Sequence, residues 1–140
     1  MTRHEFTYSS QISAEERMLD DLDQVCRKAN LPEDQSYYFK LVVSEAFCNA
    51  IVHGNRLDPK KQVQLILTLN ELEIAADIID QGRGGLRRLS QRPKASKLAD
   101  HGRGVDLMHH FADVVDFGET PDGYLIVSIR LKRTQEGRLI

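Results

Sequence analysis

The chain has 140 residues with 19 lysines and arginines against 21 aspartates and glutamates and 41% hydrophobic residues, a length and balance that fit one globular domain with a core and one cleft. A formal net charge of −2 argues against the broad cationic field that nucleic-acid backbone binding requires, so neither DNA nor RNA is an expected direct partner. Two cysteines, Cys26 and Cys48, are too few for a disulfide framework, and no stretch approaches the roughly 18 apolar residues of a membrane span.

The polar start Met1–His4 lacks the apolar run of a signal peptide, and the expected location is the cytoplasm, without membrane contact. No repeat, linker or low-complexity tract divides the chain, which reads as a single domain over residues 1–140. A short strand is expected over Glu5–Ser9. Ser13 and Glu16 then have capping-box spacing and open an amphipathic helix with Ala14, Met18, Leu19, Leu22, Val25, Cys26 and Ala29 on its apolar stripe. Asn30–Pro32 ends it. A second helix follows from about Glu33 to Gly54, with a wide apolar face that includes Phe39, Val43, Phe47 and Ile51.

Gln62–Leu69 alternates strictly, and Asn70–Glu71 reads as a tight turn into a second strand, Leu72–Asp80. From Gln81 to Gly104 the periodicity gives way to Gly, Arg, Lys and Ser, a long irregular connection expected to contain a lid at about residues 86–101. Val105–Phe111 resumes a helical pattern, and Val114–Phe117 with Tyr124–Leu131 reads as a last hairpin. The order predicts an α+β fold, a two-layer sandwich with a mostly antiparallel, mixed sheet and helices on one face.

Three places could carry chemistry. On the second helix Glu45, Asn49 and His53 follow one another at intervals of four, so they share one stripe. That stripe is either a solvated face or a carboxylate and an amide placed as base and Mg²⁺ ligand. Asp80 falls on the apolar side of its strand just before Gly82, Gly84 and Gly85. It either caps the following turn or accepts a ligand's amino group at a pocket mouth. Gly102 and Gly104 precede a helix, where free backbone N–H groups suit phosphate but a flexible connection would look the same. His109 and His110 are adjacent and diverge by about 100° on a helix, which argues against a histidine metal cluster.

Taken together and in order, Glu45-Ala46-x-x-Asn49-Ala50-x-x-His53-Gly54, Asp80-Gln81-Gly82-Arg83-Gly84 and Gly102-Arg103-Gly104-Val105-x-Leu107-Met108 resemble the N box and the two glycine boxes of the GHKL ATPase superfamily. The short length, the His-Gly pair and the segment Phe111-Ala112-Asp113-x-Val115 resemble most closely its anti-sigma-factor serine/threonine kinases.

The resemblance implies ATP and Mg²⁺ as cofactors, with Glu45 as general base and Asn49 as the Mg²⁺ ligand. It implies that Asp80 accepts a hydrogen bond from the adenine amine and that Gly82 and Gly84 shape the adenine side. Gly102, Arg103, Gly104 and Val105 then belong to the nucleotide site, the two glycines offering N–H groups to the phosphates. The implied activity is phosphorylation of an anti-anti-sigma (STAS-like) protein, alternating with sequestration of a sigma factor, in a homodimer. Two departures stand out: Gly123 is followed by Tyr124 and Leu125 where the family usually has Gly-Thr, and Gly85 stands where a larger apolar residue is common. A nucleotide-responsive or non-catalytic partner-binding regulatory module of the same fold is the alternative function, and a detached histidine-kinase catalytic domain a third.

Overall fold

The alternation over Gln62–Leu69 needs one dry face and one wet face, and the computed structural model, which describes residues 1–90 and 107–133, supplies both. Strands β1 (Thr2–Ser9), β2 (Gln62–Leu69), β3 (Glu73–Arg83), β4 (Val114–Glu119) and β5 (Tyr124–Lys132) form one sheet in the order β1-β2-β3-β5-β4. Every pairing in it is antiparallel. Helices α1 (Ala14–Lys28) and α2 (Glu33–Asn49) pack on one face, the two-layer α+β arrangement expected.

The core lies between the layers. Leu65, Leu67, Ile74, Ile78 and Ile129 from the sheet meet Met18, Leu22, Phe39, Val43 and Phe47 from the helices, all buried; each such side chain contributes about 1.5–3 kcal/mol by leaving water. Tyr8 on β1 meets Phe47 edge to face at 5.4 Å and donates its hydroxyl proton to Asp21 Oδ2 at 2.6 Å. Burial and that carboxylate push the Tyr8 phenol well above its ordinary range. Lys40 of α2 pairs with Asp23 of α1, and its ammonium holds the Asp23 carboxyl below its usual value. None of the helices among the described residues is long and apolar enough to cross a membrane.

The expected capping box does not form. Ser13 is already helical (φ −60°, ψ −19°) and makes no side-chain cap bond. A preceding turn, with Ala14 N–H on Gln11 C=O and Glu15 N–H on Ile12 C=O, takes over the first N–H groups, so the geometry a capping serine needs is absent. The other end of α1 follows expectation: Asn30 adopts φ +54°, and Leu31 N–H returns to Cys26 C=O at 3.1 Å, a Schellman ending.

Two further boundaries differ from the sequence reading. β3 does not stop at Asp80 but continues to Arg83, and Gly85–Ser90 forms a short helix, α3, where irregular chain was expected. The remainder of the expected lid, together with Gly102, Arg103, Gly104 and Val105, lies outside the described residues. The expected helix is present over 107–111. Asp113 closes it against the sheet, its N–H on Arg130 C=O and its Oδ2 accepting Lys132 N–H at 2.6 Å.

Candidate functional site

Glu45 and Asn49 lie one turn apart near the end of α2, each partly buried. The helix does not run on unchanged to Gly54. Ala50–Gly54 forms a π-helical turn, with Asn55 N–H bonded to Ala50 C=O at 2.8 Å. Its i→i+5 bonding changes the local winding, and His53 within it is exposed where Glu45 and Asn49 are partly buried. Although Cys48 reaches the surface, its thiol is pushed above its ordinary value by partial desolvation and by the carboxylates of Glu15 and Glu45. The stripe therefore offers a carboxylate, an amide and a locally negative potential, a combination suited to proton acceptance and to a divalent cation.

The π turn delivers Gly54 onto β3. Asp80 is 2% exposed, and its Oδ1 accepts Gly82 N–H at 2.9 Å, so the turn-capping use of an Asp before Gly is realised inside a strand. Its Oδ2 lies over Gly54: a Cβ on residue 54 would fall 2.1 Å from that oxygen. A Cβ on Gly82 would fall 2.0 Å from the Gly54 carbonyl oxygen. Two glycines on different elements thus form one cradle that lets the carboxylate sit buried between helix end and strand. Gly84, with φ +76° and open space around it, serves the turn from β3 into α3 instead.

Beneath the cradle, β3 parts from both neighbours. Its last register pair with β2 is Ile79 with Gln64. Against β5 the register passes from Ile79–Ile126 to Arg83–Tyr124, four steps on one strand against two on the other, so β3 bulges by two residues at Asp80. Buried Asn55 fills the opening. Its Nδ2 donates to Ser10 Oγ (2.6 Å) and Gln62 C=O (3.0 Å), and its Oδ1 accepts Gln81 N–H at 2.7 Å. The Gln81 side chain in turn accepts Gln62 N–H at 2.6 Å. Sequence reasoning missed Asn55, because an Asn after a helix reads as a local turn residue and nothing in one sequence marks a reach across strands.

The two sequence departures meet in space. A Cβ on Gly85 would lie 3.2 Å from Leu125 Cβ and 3.3 Å from its Cδ2. The small residue at 85 accommodates the large one at 125. The structure therefore brings Asp80, Gly82 and Gly54 together at the end of the helix that carries Glu45 and Asn49.

A buried carboxylate held between Gly54 and Gly82 offers hydrogen-bond acceptor atoms at the end of the helix that carries Glu45 and Asn49. Residues 9–130 match the histidine kinase-like ATPase domain family. A protein of Bacillus subtilis (strain 168) described as anti-sigma F factor is 32% identical over 93 residues, covering 64% of this chain and 64% of the relative. Another of that description, from Shouchella clausii (strain KSM-K16), is 38% identical over 76 residues, covering 51% and 52%. The chain thus spans less than two thirds of the length of these relatives. Among solved structures, the RsbU and RsbW domains of Rv1364c from Mycobacterium tuberculosis superpose with a TM-score of 0.73 at 15% identity, over 100% of this chain and 35% of that one. A chain of the SiaB–SiaC complex from Pseudomonas aeruginosa gives 0.59 at 16% identity, over 92% and 89%. At these identities the structures establish the shared fold alone.

Proposed function

The chain belongs to the histidine kinase-like ATPase domain family, an ATP-binding family, and from that membership we propose that it is a cytoplasmic Mg²⁺-ATP-dependent protein serine/threonine kinase of the anti-sigma type. Its protein substrate is a small anti-anti-sigma (STAS-like) domain, its alternative partner a sigma factor, and its working form a homodimer. The observation that carries the reading is the joining of Glu45 and Asn49, through the π turn at Gly54, to the buried acceptor Asp80. The anti-sigma description of the two curated relatives supports the regulatory part.

In this reading Asp80 accepts the adenine amine and Gly102 and Gly104 bring backbone N–H groups to the phosphates, with Arg103 and Val105 in the same nucleotide site. Asn49 offers its carboxamide oxygen to Mg²⁺, which neutralises phosphate charge when bound. Glu45 takes the proton of the partner's serine hydroxyl. That oxygen forms a bond to the γ-phosphorus as the bond from phosphorus to the β,γ-bridging oxygen breaks, and ADP leaves with the electron pair. The packing of Leu125 against Gly85, where the resembled kinases usually have Gly-Thr at the last strand, favours a second reading, partner sequestration without transfer.

Mass spectrometry of the partner after incubation with ATP separates them. Phosphoserine formed by the wild type but not by Glu45→Ala, with nucleotide binding intact in the variant, is the expected result. A stable complex with no transfer establishes the second reading, and equal transfer by Glu45→Ala refutes the role of Glu45.

A further inference from the structure

We infer that Asn55 is a positioning residue that sets the nucleobase preference of the site, by holding the main chain on which Asp80 is mounted; this rests on the reading of Asp80 as the adenine acceptor. Asn55 lies beyond the motif that carries the family resemblance, which ends at Gly54. It is 1% exposed, and its carboxamide ties together the residue after β1, the first residue of β2 and the bulge of β3. Gln81 N–H, one residue from Asp80, belongs to a stretch where β3 has left its register with both neighbours. Asn55 Oδ1 supplies the acceptor that the ladder no longer provides.

Residues 54 and 55 therefore act on consecutive residues of β3. Gly54 leaves room for the Asp80 carboxylate, and Asn55 fixes the backbone immediately after it. Hydrogen-bond recognition falls off steeply with angle and distance, so a carboxylate on an unanchored bulge still occupies the pocket but no longer selects an amine. Loss of Asn55 should cost discrimination between bases more than affinity for the triphosphate, whose contacts come from elsewhere.

The test compares the affinities of ATP and of purine riboside triphosphate, which lacks only the exocyclic amine, measured on the same sample. Their ratio is insensitive to any unfolded share of the protein, which weakens both apparent affinities equally. Wild type should prefer ATP by about tenfold or more, as expected for a hydrogen bond to a charged group. In Asn55→Ala the ratio should fall to within about twofold of unity. Asn55→Asp keeps the acceptor for Gln81 N–H and should retain most of the preference despite lower stability. A wild-type preference that persists in Asn55→Ala overturns the inference and leaves the reading of Asp80 intact. So does a folded Asn55→Asp that loses the preference, and this arm decides the matter if Asn55→Ala does not fold. Equal affinities in the wild type instead overturn the adenine reading itself, and this inference with it.

Discussion

The Asp80 carboxylate lies so close over Gly54 that a single methyl group on residue 54 would fall 2.1 Å from Oδ2. The obstacle is a side chain, which can rotate away at the cost of its own bond to Gly82 N–H. Gly54→Ala should therefore remain folded and lose about tenfold or more in ATP affinity, as one charge-assisted hydrogen bond is lost. Calorimetric titration beside thermal unfolding separates the two effects.

Gly82→Ala should behave in the opposite proportion. Its Cβ would meet the Gly54 carbonyl oxygen at 2.0 Å, and backbone cannot rotate aside, so helix end and strand must separate. Overpacking of this kind costs about 1–3 kcal/mol or more. Denaturant unfolding should place Gly82→Ala well below Gly54→Ala in stability.

Asn49→Ala tests the cation separately from the base. The variant should bind ATP without Mg²⁺ as the wild type does, and should lose the gain that Mg²⁺ confers, by about tenfold for one lost ligand. A Mg²⁺ titration at fixed nucleotide reads this directly. An unchanged response would assign the ion to other residues.

Gly85 and Leu125 should be energetically coupled. Gly85→Ala brings a Cβ to 3.2 Å from Leu125 Cβ and 3.3 Å from its Cδ2, and Leu125→Ala removes Cγ and Cδ2 while its own Cβ stays. The unfolding free energies of the two single variants and the double variant should show a coupling of at least about 0.5 kcal/mol, the double being more stable than additivity allows. Additive effects would mean that the two departures are independent.

Tyr8→Phe should cost about 1–2 kcal/mol near neutral pH, since Asp21 loses its donor. The folded phenol titrates above its unfolded value of about 10. Its contribution is therefore complete below about pH 10 and is lost as pH rises from there through the higher folded value. Urea unfolding at pH 8 and pH 11 should show the gap between wild type and variant shrinking at the higher pH.

Much of this architecture is legible in the sequence because its signals are periodic. Val63, Leu65, Leu67 and Leu69 alternate, and all four are buried on one face of β2. Phe39, Val43 and Phe47 follow helical spacing and form the contact side of α2. What was not legible depends on the other elements. Gly82 looks like a loop residue, yet it lies within β3 because Gly54 approaches there. Ser13 has a capping spacing that the preceding turn makes superfluous. Asn55 reaches three separate segments, a relationship that no local pattern encodes. The burial of Asp80 was legible from its place on the apolar side of the strand, whereas the parts that hold it were not.

Whether Asp80 reads a nucleotide is decided by calorimetric titration with ATP and ADP, with and without Mg²⁺, of the wild type and Asp80→Asn. Because Oδ1 is engaged with Gly82 N–H, the asparagine places its NH₂ where Oδ2 stood, a donor where the proposed adenine contact needs an acceptor. Binding should be saturable and Mg²⁺-dependent in the wild type and lost in the variant. No binding by the wild type, or equal binding by Asp80→Asn, would contradict that role of Asp80.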